Sequence, residues 1–144
     1  MKFNKTHGEV LMPKRVYIST PISKGILVEN IRQADAAMAQ LMRWGFAPFN
    51  PALSCYAGGA DTDSIGTLAY AHWNGCGEFS GFNHADWLDM DFAWVEVSDA
   101  VLRLPGESRG ADAECKHAAK CYVPVFHTIE ALKIYFDGSI PEAK

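Results

Sequence analysis

The chain is expected to form a three-layer α/β domain on a parallel sheet of four or five strands, and three observations lead to that expectation. Short β-type runs alternate with amphipathic helical stretches between residues 15 and 136. The stretch Ser98-Asp-Ala-Val-Leu-Arg-Leu-Pro-Gly-Glu-Ser108-Arg-Gly-Ala passes from strand to helix through a Gly/Ser loop, the usual ligand-binding connection of an open α/β sheet. At 144 residues the chain fits one domain able to bury about two-thirds of its unfolded surface.

The elements follow in order. Residues 1–13 are polar and end at Pro13, which suggests a flexible arm. Arg15-Val-Tyr-Ile-Ser19 is a first strand, and Thr20 to Gly25 is a loop with helix-start residues. Over 27–44, Leu27, Ile31, Ala34, Met38, Leu41 and Met42 recur at helical spacing, and Gly45 ends the helix. Residues 46–50 make a short second strand running into Pro51. Residues 52–83, where glycines alternate with aromatics, are an irregular, lid-like insertion with room for a short helix at 65–73. Its aromatics either stack on a flat ligand or plug the open end of the sheet. Residues 84–97 form a helix with Trp87, Leu88, Phe92 and Val95 on one face, and it feeds a third strand that Pro105-Gly106 stops. The helix after Ser108 carries Glu114 in its second turn, 123–126 is a fourth strand, and Thr128 caps a last helix. Strands alternating with helices imply right-handed crossovers and a flavodoxin- or Rossmann-like arrangement.

Composition narrows the function. A net charge of -4 argues against a broad surface for a nucleic-acid polymer. No apolar run approaches the roughly 20 residues of a membrane span, and the N-terminal residues lack a signal-peptide core, so a cytoplasmic protein is expected. Cys55, Cys76, Cys115 and Cys121 form no Cys-x-x-Cys pair, and His72, His84 and His117 share no metal spacing. They are expected to be reduced packing or solvent-facing residues, with no metal and no cofactor.

In such a sheet the ligand lies beyond the carboxyl ends of the strands, where the first and third diverge. Residues 17–24 and 108–114 meet there. Neither a dinucleotide fingerprint, a P-loop nor a nucleophile elbow is present. The remaining reactive groups are carboxylates, chiefly Glu114 and Asp91. Ser19, Thr20, Ser23, Lys24, Ser108, Arg109 and Gly110 supply donors for an anion, which favours a 5'-monophosphate over a neutral hydroxyl. Each has a plainer alternative: Glu114 exposed on its helix, Asp91 on a solvated face, Tyr17 in the core, Arg109 paired with Glu107 or Asp112, Asn50 holding the turn before Pro51. Asp99 is read as structural.

Val-Tyr-Ile-Ser-Thr-Pro at 16–21, Asp91 eight residues before Asp99, the run Ser108-Arg-Gly-Ala-Asp-Ala-Glu114 and Val-Pro-Val-Phe at 123–126 together resemble the nucleoside 2-deoxyribosyltransferase superfamily, which includes nucleoside 5'-monophosphate N-glycosidases. The resemblance covers about residues 15–126. It implies Glu114 as nucleophile, Tyr17 as the group that orients it, and Asp91 as the acid that protonates the leaving base. The Ser/Gly loop then takes the sugar phosphate, and the partner is a small nucleoside or nucleotide; Asn50, read from its own position, either meets the ligand or holds the turn before Pro51. It also implies active sites completed by a neighbouring subunit, hence a homodimer or a tetramer. Such chemistry needs one ionised carboxylate at the sugar and one protonated acid at the base, roles assigned to Glu114 and Asp91 in that order. The long insertion and Arg109 depart from better-known members.

Overall fold

The computed structural model describes residues 5–6, 9–10, 12–22, 24–56 and 83–138. Within the segment expected as an arm, β1 (Lys5–Thr6) and β2 (Glu9–Val10) pair antiparallel. The main sheet contains β3 (Arg15–Ser19), β4 (Ala47–Phe49), β5 (Ala100–Arg103) and β6 (Val125–Phe126), all parallel, in the order β4-β3-β5-β6. Around it lie α1 (Leu27–Arg43), α2 (His84–Glu96), α3 (Arg109–Lys120) and α4 (Ile129–Asp137), with a 3₁₀ segment at Pro51–Tyr56. This is the expected three-layer α/β fold with a four-stranded parallel sheet. Most of the insertion, including the helix expected at 65–73, His72, Cys76 and the aromatics after Tyr56, lies outside the described residues. No described helix is long and apolar enough to cross a membrane.

The sheet alternates its side chains between two cores, because neighbouring residues of a strand face opposite ways. Val16, Ile18, Ala100 and Leu102 pack with Ile31, Ala34 and Leu41 of α1 and Leu132 of α4. On the other face Tyr17 and Val101 pack with Val95 of α2, Ala118 of α3 and Val123. Helices α1 and α4 therefore cover one face and α2 and α3 the other. Met42, expected on the buried stripe of α1, is 38% exposed, because it falls at the helix end next to the turn at Gly45.

Local chemistry sets the helix boundaries. Gly45 takes the left-handed conformation (φ +85°) that closes α1. A reciprocal capping box starts α2: Asp86 N donates to Asn83 Oδ1 at 3.0 Å, and Asn83 N donates to Asp86 Oδ2 at 2.8 Å. Ser108 Oγ accepts from Ala111 N at 3.1 Å and Thr128 Oγ1 from Ala131 N at 3.1 Å, fixing the starts of α3 and α4. Asp99 is structural, as expected, although its partner is a strand: its carboxylate accepts from Arg15 N at 2.7 Å, and its own N–H donates to Arg15 O at 2.8 Å.

The loop after β5 turns through Gly106, whose φ of +121° suits no L side chain and whose missing Cβ would lie 2.8 Å from Pro21 Cγ. Gly45→Ala meets no atom within 4 Å and loses about 1 kcal/mol, for its left-handed backbone alone. Gly106→Ala adds a collision to its strained backbone and is expected to lose about 2–3 kcal/mol. Urea denaturation of both variants checks the ordering; equal losses would show that the approach to Pro21 is not tight.

Candidate active site

A crevice opens at the carboxyl ends of β3 and β5, roofed by the first half of α2 and floored by the start of α3. Thr20, His84, Asp91, Ser108 and Glu114 give it polar walls, while Ile22, Trp87, Leu88, Gly110 and Ala111 complete the lining. Its cavity volume is about 40 Å³. Four predicted residues that line it thus come from three separate elements: Thr20 follows β3, Asp91 sits on α2, and Ser108 and Glu114 open α3. Gly110 joins them, and a Cβ there would approach His84 Cε1 and Leu88 Cδ2 at 3.7 and 3.9 Å, ordinary contacts.

Tyr17 and Ser19 lie beneath the crevice without lining it, so Ser19, expected at the ligand, is set behind the wall. Both are completely buried, because the strand that carries them is paired on both edges and covered on both faces. The Tyr17 hydroxyl is buried and closes no full hydrogen bond, yet it lies close enough to Glu114 and Asp91 for both to act on it. Burial, and then the charges of Glu114 and Asp91, hold its proton well above the ordinary range, so Tyr17 is a permanent donor. Ser19 Oγ donates to Ala111 O at 3.4 Å, tying the end of β3 to the first turn of α3.

Glu114 is 7% exposed, and its Oε2 is buried without a full hydrogen bond. Burial, and then the charge of Asp91, push its carboxyl up to about 8, against the lowering effects of Tyr17, Ser19 and Arg103. Burial raises the shallower Asp91 to about 6, opposed by Tyr17. The pair therefore carries one shared proton near neutrality.

Other predicted residues lie outside the crevice. Arg109 is exposed on the first turn of α3, and Lys24 pairs with Glu107 at 3.7 Å. Asn50 is buried and uses its amide within the protein, donating to Asp35 Oδ1 and accepting from Ala52 N, both at 3.1 Å, so it holds the turn. Ser23 lies outside the described residues. Cys115 has its thiol pushed up by burial, which makes it a packing residue rather than a nucleophile.

Sequence reasoning passed over three contributors. Arg103 is 8% exposed, donates to Leu104 O, to Gly106 O at 2.8 Å and to Asp112 Oδ1 at 3.1 Å, and acts on Glu114. Its signal was a cation inside an apolar strand, where a charge has to be paired. Asp112, one of the partners weighed for Arg109, belongs to Arg103 instead. His84 and Trp87 lie seven and four residues before Asp91, spacings that share one helix face.

No protein-family model and no curated protein matches this sequence. The chemistry of the crevice rests on its own residues.

Both carboxyl protons are held more tightly in the folded chain than in the unfolded one. Their stabilising effect is complete below the ordinary carboxylate range and is lost as pH rises through about 6 and about 8. Thermal melts should therefore show stability falling from pH 5 to pH 9, with a shallower fall in Glu114→Gln. At pH 8.5 that variant should exceed the natural chain by roughly 1–3 kcal/mol. Asp91→Asn removes the neighbouring charge and should bring the Glu114 titration, followed by carboxyl NMR shifts, to lower pH. An unmoved titration would mean that the two groups are not coupled.

Proposed function

We propose that the protein cleaves or transfers the N-glycosidic bond of a nucleoside 5'-monophosphate through a glycosyl-Glu114 intermediate. The supporting observation is the buried pair Glu114 and Asp91, with a protonated Tyr17 beneath both, in a crevice at the carboxyl ends of two parallel strands. Perturbed carboxyls that share a proton in a cleft are what acid–base and nucleophilic chemistry at a sugar requires. In the productive form the proton sits on Asp91. The Glu114 carboxylate attacks C1' of the sugar, the bond from C1' to the base nitrogen breaks, and Asp91 gives its proton to the departing base. Water then attacks C1', releasing Glu114 and passing its proton to Asp91, which restores the starting state. A second nucleobase in place of water gives transfer.

His84 and Trp87 offer flat surfaces at the α2 wall, suited to the base. The 5' phosphate falls to the start of α3, where backbone N–H groups and the Ser108 and Thr20 hydroxyls gather, with no Lys or Arg among the described lining residues. That absence of a cation favours a second reading, turnover of free nucleosides by a deoxyribosyltransferase route. A cytoplasmic homodimer, or a tetramer built from dimers, goes with either reading. Trp94 (47% exposed), stacked on Phe49, and Met90 (40% exposed) give α2 an apolar outer surface for such pairing.

Incubating the protein with deoxy- and ribonucleoside 5'-monophosphates and with the free nucleosides, and assaying free base, tests the reading. Base release from a monophosphate is expected, with a loss of about 10³-fold or more in Glu114→Gln. Equal turnover of free nucleosides selects the second reading; ligand-induced stabilisation with no base released marks a non-catalytic nucleotide-binding module instead. The kcat/KM profile of the active substrate should be bell-shaped, with limbs near pH 6 and pH 8, because only the singly protonated pair is productive. Light scattering should return at least twice the 15.8 kDa chain mass.

A further inference from the structure

At the other end of α2 and α3, three side chains from two helices converge. Glu96 is the last residue of α2, while His117 and Cys121 stand one turn apart at the end of α3. His117 Nε2 lies 2.8 Å from Glu96 Oε1 and 3.6 Å from Cys121 Sγ, and all three ligand atoms fall within 4.8 Å of one another. We propose that Glu96, His117 and Cys121 form a zinc site that joins the ends of the two helices.

The donor set selects the metal. One imidazole nitrogen, one thiolate and one carboxylate oxygen suit zinc, and would suit neither magnesium nor calcium, which take oxygen ligands. Tetrahedral zinc at ordinary bond lengths places its donors roughly 3.3–3.7 Å apart. The sulfur–nitrogen spacing already has that value, and the Glu96 oxygen, 2.8 Å from Nε2 and within 4.8 Å of Sγ, has to move outward from the imidazole. A water completes the fourth position, reached from the exposed Glu96 side.

Two independent features favour a cation there. Phe92 stacks on His117 at 4.4 Å between ring centroids and 8° between planes, so the imidazole is held with Nε2 facing both other donors. Furthermore, α2 ends at Glu96 and α3 is capped at Cys121, so the negative ends of two helix dipoles meet at this point. By the helix rise, Glu96 lies roughly 7.5 Å along α2 beyond Asp91, and His117 roughly 4.5 Å along α3 beyond Glu114. The cluster uses different side chains from the carboxyl pair, and it links the helix that carries Asp91 to the helix that carries Glu114.

The test uses the full chain, stripped with a chelator and titrated with Zn²⁺ against a chromophoric competitor. One zinc per chain is expected, with at least a tenfold loss of affinity in His117→Ala and in Cys121→Ser, and a smaller loss in Glu96→Gln. Co²⁺ in the natural chain should give a thiolate-to-metal absorption band that Cys121→Ser lacks, while Mg²⁺ should leave the melting temperature unchanged. Failure of the natural chain to bind zinc, or affinity and a cobalt band undiminished in both variants, would overturn the assignment. Binding and absorption are read without substrate, so the outcome is independent of whether any base is released.

Discussion

Strand β3 is hydrogen-bonded along both edges and covered by helices on both faces, and this double enclosure is the constraint on which the rest of the structure depends. A strand so placed has no solvent to offer its polar side chains, and Val16 and Ile18 accordingly join the larger core. Tyr17 and Ser19 point the other way, beneath α2 and α3, and a buried hydroxyl at each position needs polar company. Ser19 finds it in the backbone of α3; Tyr17 finds it in Glu114 and Asp91. The carboxyl pair therefore belongs to the packing of the sheet as much as to the crevice above it.

That placement sets stability against function. Two carboxyls in one poorly solvated site cannot both ionise cheaply, and burial raises each above its ordinary value. Tyr17, Ser19 and Arg103 oppose the rise at Glu114 without cancelling it. Arg103 keeps its guanidinium on the carbonyls of Leu104 and Gly106 and on Asp112, so it moderates the field without entering the lined crevice. A cation placed directly on Glu114 would fix it as a carboxylate and remove the shared proton.

Much of the fold was legible because the period of the apolar residues changes cleanly between elements. The stripe of α1, the glycine after it, Thr128 as a cap, and the strands at Tyr17 and Val101 follow from local rules, and the structure obeys them. At the site, Glu114 and Asp91 were legible through their place in a strand–loop–helix pattern and a resemblance. The extent to which burial raises both carboxyls was not, since it depends on packing across a tertiary contact. Arg109 and Asn50 show a related limit: residue type and loop position suggested ligand contacts, but one side chain faces solvent and the other is occupied by Asp35 and Ala52. The cluster of Glu96 with His117 and Cys121 was hidden for the same reason, because one donor comes from a different helix.

The loops after β3 and β5 are bound into one body. Leu104 N donates to Ser19 O at 2.9 Å, Gln33 of α1 donates to Pro105 O at 3.0 Å and reaches Thr20 Oγ1 at 3.5 Å, and Gly106 lies against the Pro21 ring. Neither loop can withdraw from the crevice without dragging the other and breaking its hold on α1. The opposite wall is differently fastened: α2 is anchored toward its far end, where Trp94 stacks on Phe49 and Asp99 grips Arg15. The wall formed by these two loops is thus a single unit: a displacement at Pro21 or at Pro105 is passed to both rims at once, while α2 stays packed along α3 across from it.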